Sequence, residues 1–445
     1  MRILVVGSGG REHAICWALR RENPDADLHC APGNPGTESL AHNVNIPVDD
    51  VDRIADAADM LGIDLTIIGP EVPLARGLAD RLRAEGRSVV GPSAAAAQIE
   101  ASKAFAKDVM AAAGVPTAAS RTFTDLRAAL AWVERHDEPL VVKASGLAAG
   151  KGAVVCATRQ EAADTVRAML GEGKFGEAGR VVVVEAFLEG EEVSLFGLTN
   201  GDEVEFLPAA QDHKRLLEGD RGPNTGGMGA YSPVALATPE FLTRARREVY
   251  LPVLAELRRR GAPFSGVLYA GLMVDRSGTP WVVEFNCRLG DPETQAVLPL
   301  VNDGFTDACW RIAHGEAPSP IRIQPAAAVT TVLAARGYPE HPERGAPITI
   351  PGDLPDGVTV FHAGTARDEG GTLRVTGGRV LNVTAVAPAF AEAQRLSREA
   401  AERIGFEGKV FRGDIGWREA GRLPAQPAGS NQTGLCVSFE TRRPT

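Results

Sequence analysis

Within its first hundred residues the chain repeats one local pattern, a short apolar run followed by a helical stretch, and this constrains the fold more than any other feature. Apolar runs stand at residues 3–6, 65–68 and 88–90, and a helical stretch at 12–21. Strands separated by helices lie parallel, because the connection is far longer than a hairpin turn. Residues 1–101 are therefore expected to form an α/β domain around a parallel sheet.

A chain of 445 residues is too long for one such core, and at roughly 150 residues per domain it should hold about three. A helix from about 102 to 113 is stopped by Gly114, Val115 and Pro116. Beyond it, strands at 140–143, 153–157 and 180–185 enclose one amphipathic helix, while 192–199, 266–274 and 281–286 read as antiparallel sheet. Residues 102–326 thus form an α+β catalytic core. Strands near 327–334, 358–363 and 379–386 and a helix over 389–404 make a smaller α+β unit, 327–419. Residues 420–445 lack periodicity and read as a flexible tail.

The formal charge of −10, without a long basic run, argues against nucleic acid or an anionic membrane as partner. No apolar run approaches the roughly 20 residues that span a bilayer. The six cysteines are scattered without CxxC spacing, as expected of reduced thiols in the cytoplasm.

The sharpest chemical statement comes from WVVEFNCR, residues 281–288. Side chains alternate along a strand, so Glu284 and Asn286 share one face, about 6 to 7 Å apart, with Trp281, Val283 and Phe285 on the other. Two hard oxygen donors at that separation can share one Mg²⁺, whose remaining positions go to water or substrate phosphates. Arg288 then stands where it can neutralise a transferring phosphoryl group or an oxyanion. Asp291 and Glu293 add carboxylates beside the same strand end. A polar strand face ending in a turn is the alternative.

In PLVVKASGLAAGKG, Lys143 lies on a strand, and Gly146, Gly150 and Gly152 let backbone amides approach a polyanion, with Lys151 among them. The spacing is not that of a Walker A loop, since three residues separate Gly146 from Gly150 and Gly152 follows Lys151. A glycine-rich hairpin is the competing reading. RVVVVEAFLEGEEVS is a buried strand, a connector and a second strand, an arrangement that can meet an adenine edge and ribose hydroxyls. QDHKR and GPNTGGMGAYSP form one polar, glycine-rich region that suits a small zwitterion, with Asp212 toward an ammonium and backbone amides toward a carboxylate. A mobile surface loop would look the same. VGSGGREH, between a strand and a helix, suits a monophosphate with Arg11 near, whereas a dinucleotide fingerprint would need glycine in place of Glu12.

Taken in order, these segments resemble the glycinamide ribonucleotide synthetases, ATP-grasp enzymes of purine biosynthesis, from residue 1 to about 418. APGNPGT, IIGPEVPLARGL, SKAFAK, EFNCRLGDPETQ, FHAGT and GRVLNVTA belong to the likeness, and GPNTGGMGAYSP with GREH is its most specific part. The resemblance implies a pre-ATP-grasp N-terminal domain, an ATP-grasp core of two subdomains (the mobile one about 121–188) and a small C-terminal domain. It implies ATP between the subdomains, with Lys103, Lys143 and the loop residues Gly146, Gly150, Lys151 and Gly152 at the phosphates. Glu185, Ala186 and Leu188 would lie near adenine, and Glu192 at the ribose. Glu284 and Asn286 would hold Mg²⁺ or Mn²⁺, as one or two ions. Substrate binding would fall to Gly9, Gly10, Arg11, Glu12, Asp212, Lys214, Asn224, Thr225, Gly226, Gly227 and Asp291, and catalysis to Arg288, Lys143 and Asp212.

The implied reaction activates glycine as glycyl phosphate, which 5-phosphoribosylamine attacks to give glycinamide ribonucleotide, ADP and phosphate. A monomeric cytoplasmic enzyme is expected. Ser145 stands where family members often have aspartate, and the strand LYAGLMV offers no second acidic ligand before Asp275. The nearest alternative is another ATP-grasp ligase, transformylase or carboxylase of purine biosynthesis. A nicotinamide oxidoreductase would leave residues 140–293 unexplained, and an inactive nucleotide-binding regulator would not turn over.

Overall fold

The computed structural model describes residues 1–137, 139–148 and 152–422. Its N-terminal unit is a five-stranded parallel sheet in the spatial order His42–Asn43, Asp27–Pro32, Arg2–Gly7, Leu65–Ile68, Val89–Val90. Helices cover both faces of such a sheet, so its central strands are buried on both sides: Leu65–Ile68, apolar but for Thr66, is buried at every position. The helix Gly10–Glu22 starts on the turn after the first strand, as the sequence predicts.

The helix Lys103–Ala113 leads into the second unit. Ser102 caps it by accepting from the Phe105 amide (3.2 Å), and Gly114, at φ 66°, ends it in the left-handed conformation that suits glycine. A small four-stranded antiparallel sheet follows, in the order Ser120–Phe123, Val182–Ala186, Leu140–Ala144, Ala153–Cys156. It packs with the helices Leu126–Val133 and Arg159–Val166 around its own core, separate from the others. Its first strand and first helix were not read from the sequence, because SRTF is largely exposed and carries no apolar alternation.

The larger sheet of this unit is antiparallel in the order Val204–Phe206, Glu191–Thr199, Gly266–Val274, Pro280–Asn286. Strict alternation along the last strand fails. Glu284 opposes Gly271 and Val282 opposes Leu272, which leaves Val283 as a bulge. Val282 and Phe285, three apart, are both buried, and Val283 lines the cavity beside Glu284. Trp281 and Val283 therefore do not share the inward face of Phe285, although Glu284 and Asn286 do keep a common side.

The C-terminal sheet crosses the expected unit boundary. Its order is Gln211–Asp212, Gly229–Ser232, Ala327–Ala335, Arg379–Ala387, Val358–His362, with Lys409–Val410 beside Ala327–Ala335. Two strands thus come from the middle of the chain, and the helix Phe390–Arg403 covers this sheet. Between them, Arg215–Leu217 and Arg221–Asn224 form a hairpin. Among the described residues no helix is long and apolar enough to cross a membrane, and Cys16, Cys30, Cys156, Cys287 and Cys309 are free thiols.

Candidate active site

All three units contribute to one cavity of about 780 Å³. Glu284 and Asn286 stand at its floor. Burial opposes the charge of Glu284, but Lys214, Lys143 and Lys103 outweigh it and hold the carboxyl below its ordinary range. In the amide orientation that satisfies its hydrogen bonds, Asn286 donates to Glu100 Oε1 (3.1 Å) and the Phe285 carbonyl (3.1 Å), which leaves its amide oxygen as the acceptor open to a cation. Gly271, directly opposite Glu284, makes room here: a Cβ would lie 3.4 Å from Glu284 Cγ and 3.5 Å from Glu192 Oε1. Asp275, the first acid beyond LYAGLMV, is held in a turn by Ser277, Thr279 and the Trp281 indole (2.8 Å). No cluster of three or more His, Cys, Asp or Glu suited to a metal occurs among the described residues.

Lysines line the opposite side. Lys143 Nζ donates to the Val283 carbonyl (3.0 Å), which the bulge turns toward it, and pairs with Glu185. Lys107 Nζ reaches the second oxygen of Glu185 at 2.6 Å. Burial pulls the Lys103 ammonium below its usual pKa against the attraction of Glu284. Ser145 anchors this corner to the linker helix: its hydroxyl accepts from the Ala104 amide (3.1 Å), and its carbonyl from the Lys103 amide (2.9 Å). The sequence left the consequence of serine at 145 open, and in the structure it adds a second acceptor at the start of the helix that Ser102 caps. Gly146 packs against Ala178 away from the cavity, Gly152 lines it, and Gly150 and Lys151 lie outside the described residues.

The polar region from 211 to 227 closes a third side. Lys214 pairs with Glu192 and lies 3.8 Å from Glu284. Burial would lower its pKa, but those two carboxylates outweigh burial and hold it well above the lysine range. Burial and the neighbouring Glu293 push the Asp212 carboxyl well up, and Asp212 Oδ1 is buried without a hydrogen-bond partner. Glu293, also raised by burial, accepts from Ser194 Oγ (3.0 Å). Gly227, at φ 108°, must be glycine, since a Cβ would come within 2.6 Å of Asp212 Oδ1.

The N-terminal glycine turn differs from the expectation. Glu12 folds back so that its carboxylate accepts from the Gly9 amide (2.7 Å) and binds Arg11 Nε (2.5 Å). The anion at this helix start is thus the chain's own. Gly10 packs against Asn382 and Gln295, and only Arg11 of these four residues lines the cavity. Asp291 does line it, held by Gln295 (2.9 Å) and near Arg379 (3.4 Å). Arg288 is engaged by Glu100 (2.7 Å) and Glu71 (3.5 Å), so its charge is already met by two carboxylates.

The structure therefore gathers Lys103, Lys143, Gly152, Glu185, Ala186, Leu188 and Glu192 around one part of the cavity wall. Asp212, Lys214, Asn224, Thr225, Gly226, Glu284, Asn286, Arg288 and Asp291 line the rest. Gly9, Gly10, Glu12, Gly146 and Gly227 do not line it. Sequence reasoning missed Lys107, four residues after Lys103 in SKAFAK and so on the same helix face. It also missed Arg379, which donates to the Asp291 carbonyl (2.7 Å) from the C-terminal unit; GRVLNVTA carried that signal. Arg418 had no local signal.

Sequence comparison matches "Phosphoribosylglycinamide synthetase, N domain" at residues 1–100, the "ATP-grasp (A) domain" at 101–294 and the "C domain" at 328–418. Phosphoribosylamine–glycine ligase of Ralstonia nicotianae is 45% identical over 420 residues, 94% of this chain and 99% of that protein. The Nostoc enzyme of the same name is 47% identical over 424 residues, again 94% and 99%. Among solved structures, phosphoribosylamine–glycine ligase from Thermotoga maritima superposes with a TM-score of 0.80 at 34% identity, covering 93% of this chain and 100% of that one. The biotin carboxylase domain of Hydrogenobacter thermophilus 2-oxoglutarate carboxylase, solved with MgADP, shares the fold at TM-score 0.70 and 19% identity, covering 92% and 91%.

Proposed function

The chain belongs to the phosphoribosylglycinamide synthetase family, a ligase of purine biosynthesis that joins glycine to phosphoribosylamine with ATP, and we propose that it works through the cavity described above by way of glycyl phosphate. The observation that carries this reading is the convergence of Glu284 and Asn286 with Lys103, Lys143 and Lys214 on a single cavity walled by all three units.

ATP lies against Val183–Leu188 and the helix Lys103–Ala113, its adenine near Glu185, Ala186 and Leu188 and its ribose at Glu192. Lys103 and Lys143 face the phosphates, and covering them falls to the glycine-rich segment, of which Gly152 lines the cavity. The hard oxygens of Glu284 and Asn286 fit Mg²⁺, or Mn²⁺, as one or two ions. When bound, the metal neutralises charge on the transferring phosphoryl group.

A glycine carboxylate oxygen attacks the γ-phosphorus, forming one P–O bond as the bond to ADP breaks. The amine of phosphoribosylamine then attacks the acyl carbon; the C–N bond forms, phosphate leaves and the nitrogen loses a proton. No protein nucleophile takes part. Asp212 faces the glycine ammonium, which supplies the partner its Oδ1 lacks. Arg288, its plane fixed by Glu71 and Glu100, faces charge at the acyl phosphate. Arg11, Lys214, Asn224, Thr225, Gly226 and Asp291 contact the substrates directly, whereas Gly9, Gly10 and Glu12 hold the shape of the phosphoribosylamine side and Gly227 that of the glycine side beside Asp212.

The deciding experiment measures ADP release with each acid in turn. Glycine with phosphoribosylamine should support turnover, and release with formate or bicarbonate alone would assign the chain to a sister enzyme. We further read it as a monomer working in the cytoplasm without nucleic-acid or membrane partners, which sedimentation at working concentration tests for the monomer.

A further inference from the structure

The hairpin Arg215–Leu217/Arg221–Asn224 lies between Lys214 and Thr225, two of the residues assigned to substrate. Its base is closed by the Thr225 amide and hydroxyl on the Lys214 carbonyl, at 2.7 and 2.9 Å. Its tip is gripped by a segment nearly two hundred residues later. Arg412, whose side chain is completely buried, donates to Asp220 Oδ1 (2.9 Å) and to the Arg215 carbonyl (3.0 Å). Asp414 fixes the same guanidinium through both its oxygens, at 2.7 and 2.8 Å, and accepts from the Gly219 amide (2.8 Å). Glu218 returns the contact by accepting from the Gly413 amide (2.9 Å).

Two features separate this from an ordinary loop contact. Burying a guanidinium is costly unless its geometry and partners are nearly complete, and here they are. Asp220 is also the only non-glycine residue at positive φ among the described residues, at 54°, a conformation that persists only where surrounding contacts over-determine it. The grip therefore fixes the hairpin's conformation as well as covering it.

We propose that Arg412 is a positioning residue for the ligation, setting the hairpin through Asp220 and Arg215 so that Lys214 and Thr225 stand where glycine binds. This rests on the assignment of residues 212–226 to the glycine side of the cavity. Arg412 does not line the cavity, whereas Arg215, Asp220 and Arg418, which shares Asp220 with it, do. Its effect passes along a short hairpin whose other end is Lys214.

The test compares Arg412→Lys, Arg412→Gln and Asp220→Asn in the full-length enzyme, with KM for glycine, phosphoribosylamine and ATP, kcat and Tm measured for each. Asparagine tolerates the left-handed backbone at 220, so that variant removes the charge without refolding the turn. Arg412→Gln and Asp220→Asn should raise KM for glycine by about tenfold, the scale of a small misplacement of binding groups, while KM for ATP moves less than about twofold. Arg412→Lys, which keeps the charge and loses the fork, should fall between these and the wild type. Parallel loss of Tm and of affinity for all three substrates would show a merely structural contact and overturn the proposal, as would unchanged KM for glycine. Asp212→Asn and Thr225→Val serve as direct probes. If they leave KM for glycine unmoved, the site assignment itself fails; if they raise it and the Arg412 and Asp220 variants do not, only the positioning role fails.

Discussion

Lys214 Nζ stands 3.8 Å from Glu284 Oε1 while it pairs with Glu192, so one ammonium faces both carboxylates at the floor of the cavity. Removing Glu284 takes away a proposed metal oxygen and leaves Lys214 to Glu192 alone. Glu284→Ala should lower kcat on the order of 10³-fold, the several kcal/mol a metal supplies to a transferring phosphoryl group. KM for phosphoribosylamine should change far less. Steady-state ADP release measures both, and an active Glu284→Ala enzyme would remove the metal assignment.

Gly271 keeps Glu192 and Glu284 apart without filling the space between them. A Cβ there would lie 3.3 Å from the Tyr269 hydroxyl, and larger groups would displace the carboxylates. Gly271→Val should cost about 1–3 kcal/mol of stability by overpacking and depress kcat beyond what the loss of folded enzyme explains. Urea unfolding alongside kinetics separates the two effects. Normal kcat in the folded variant would show that the spacing is irrelevant.

Glu185 balances Lys107 and Lys143, all three buried in the wall of the cavity. Glu185→Leu strands two buried ammonium groups and should lower stability by about 3–5 kcal/mol. Adding Lys107→Met should recover part of that loss, so the double-mutant cycle gives a coupling well away from zero. Additive effects would mean that the lysines do not share Glu185.

Ser145 supplements the Ser102 cap of the linker helix from the edge of the small subdomain, accepting from the Ala104 amide. Ser145→Ala should cost about 1 kcal/mol and raise KM for ATP, because the glycine-rich loop follows directly. Ser145→Asp retains an acceptor for the Ala104 amide and should hold both Tm and KM close to the wild type. A stable, unperturbed Ser145→Ala enzyme would contradict the cap.

The N-terminal and C-terminal units meet at His13 and His362, where the His362 amide donates to His13 Nδ1 (2.9 Å). Burial lowers the pKa of His13 to about 3, with His362 adding to the effect, and burial lowers that of His362 to about 4. A depressed histidine pKa makes the unfolded chain the better proton binder, so this contribution is complete above about pH 6.5 and lost as pH falls toward the folded values. The slope is at most about 1.4 kcal/mol per pH unit per histidine. His13→Gln should flatten denaturant stability measured between pH 6.5 and 4, and an unchanged slope would exclude His13 as a source.

The parallel N-terminal sheet, the antiparallel floor strands and the Glu284–Asn286 pair were legible because each rests on local periodicity. Val283 was misplaced because a bulge is set by its partner strand, and nothing in WVVEFN announces that Gly271 and Leu272 will skip one residue. Glu12 was read beside an anion site, yet it is the anion there, since a carboxylate three residues into a helix can reach back to the turn. Arg379, although it lies within GRVLNVTA, and Arg412 were passed over as site groups because their meaning comes from partners 88 and 192 residues away.

The C-terminal sheet takes Gly229–Ser232 as the neighbour of Ala327–Ala335. On the ribosome, the middle strand must wait while roughly a hundred further residues emerge, some 5 to 20 seconds at about 5–20 residues per second. The small subdomain around Leu140–Ala144 and Val182–Ala186, with its own core, has no such delay. The cavity is consequently assembled in an order imposed by synthesis, with the wall proposed to receive glycine completed last. A chain halted before residue 327 would hold the small subdomain with its own core and lack the strand that Gly229–Ser232 pairs with.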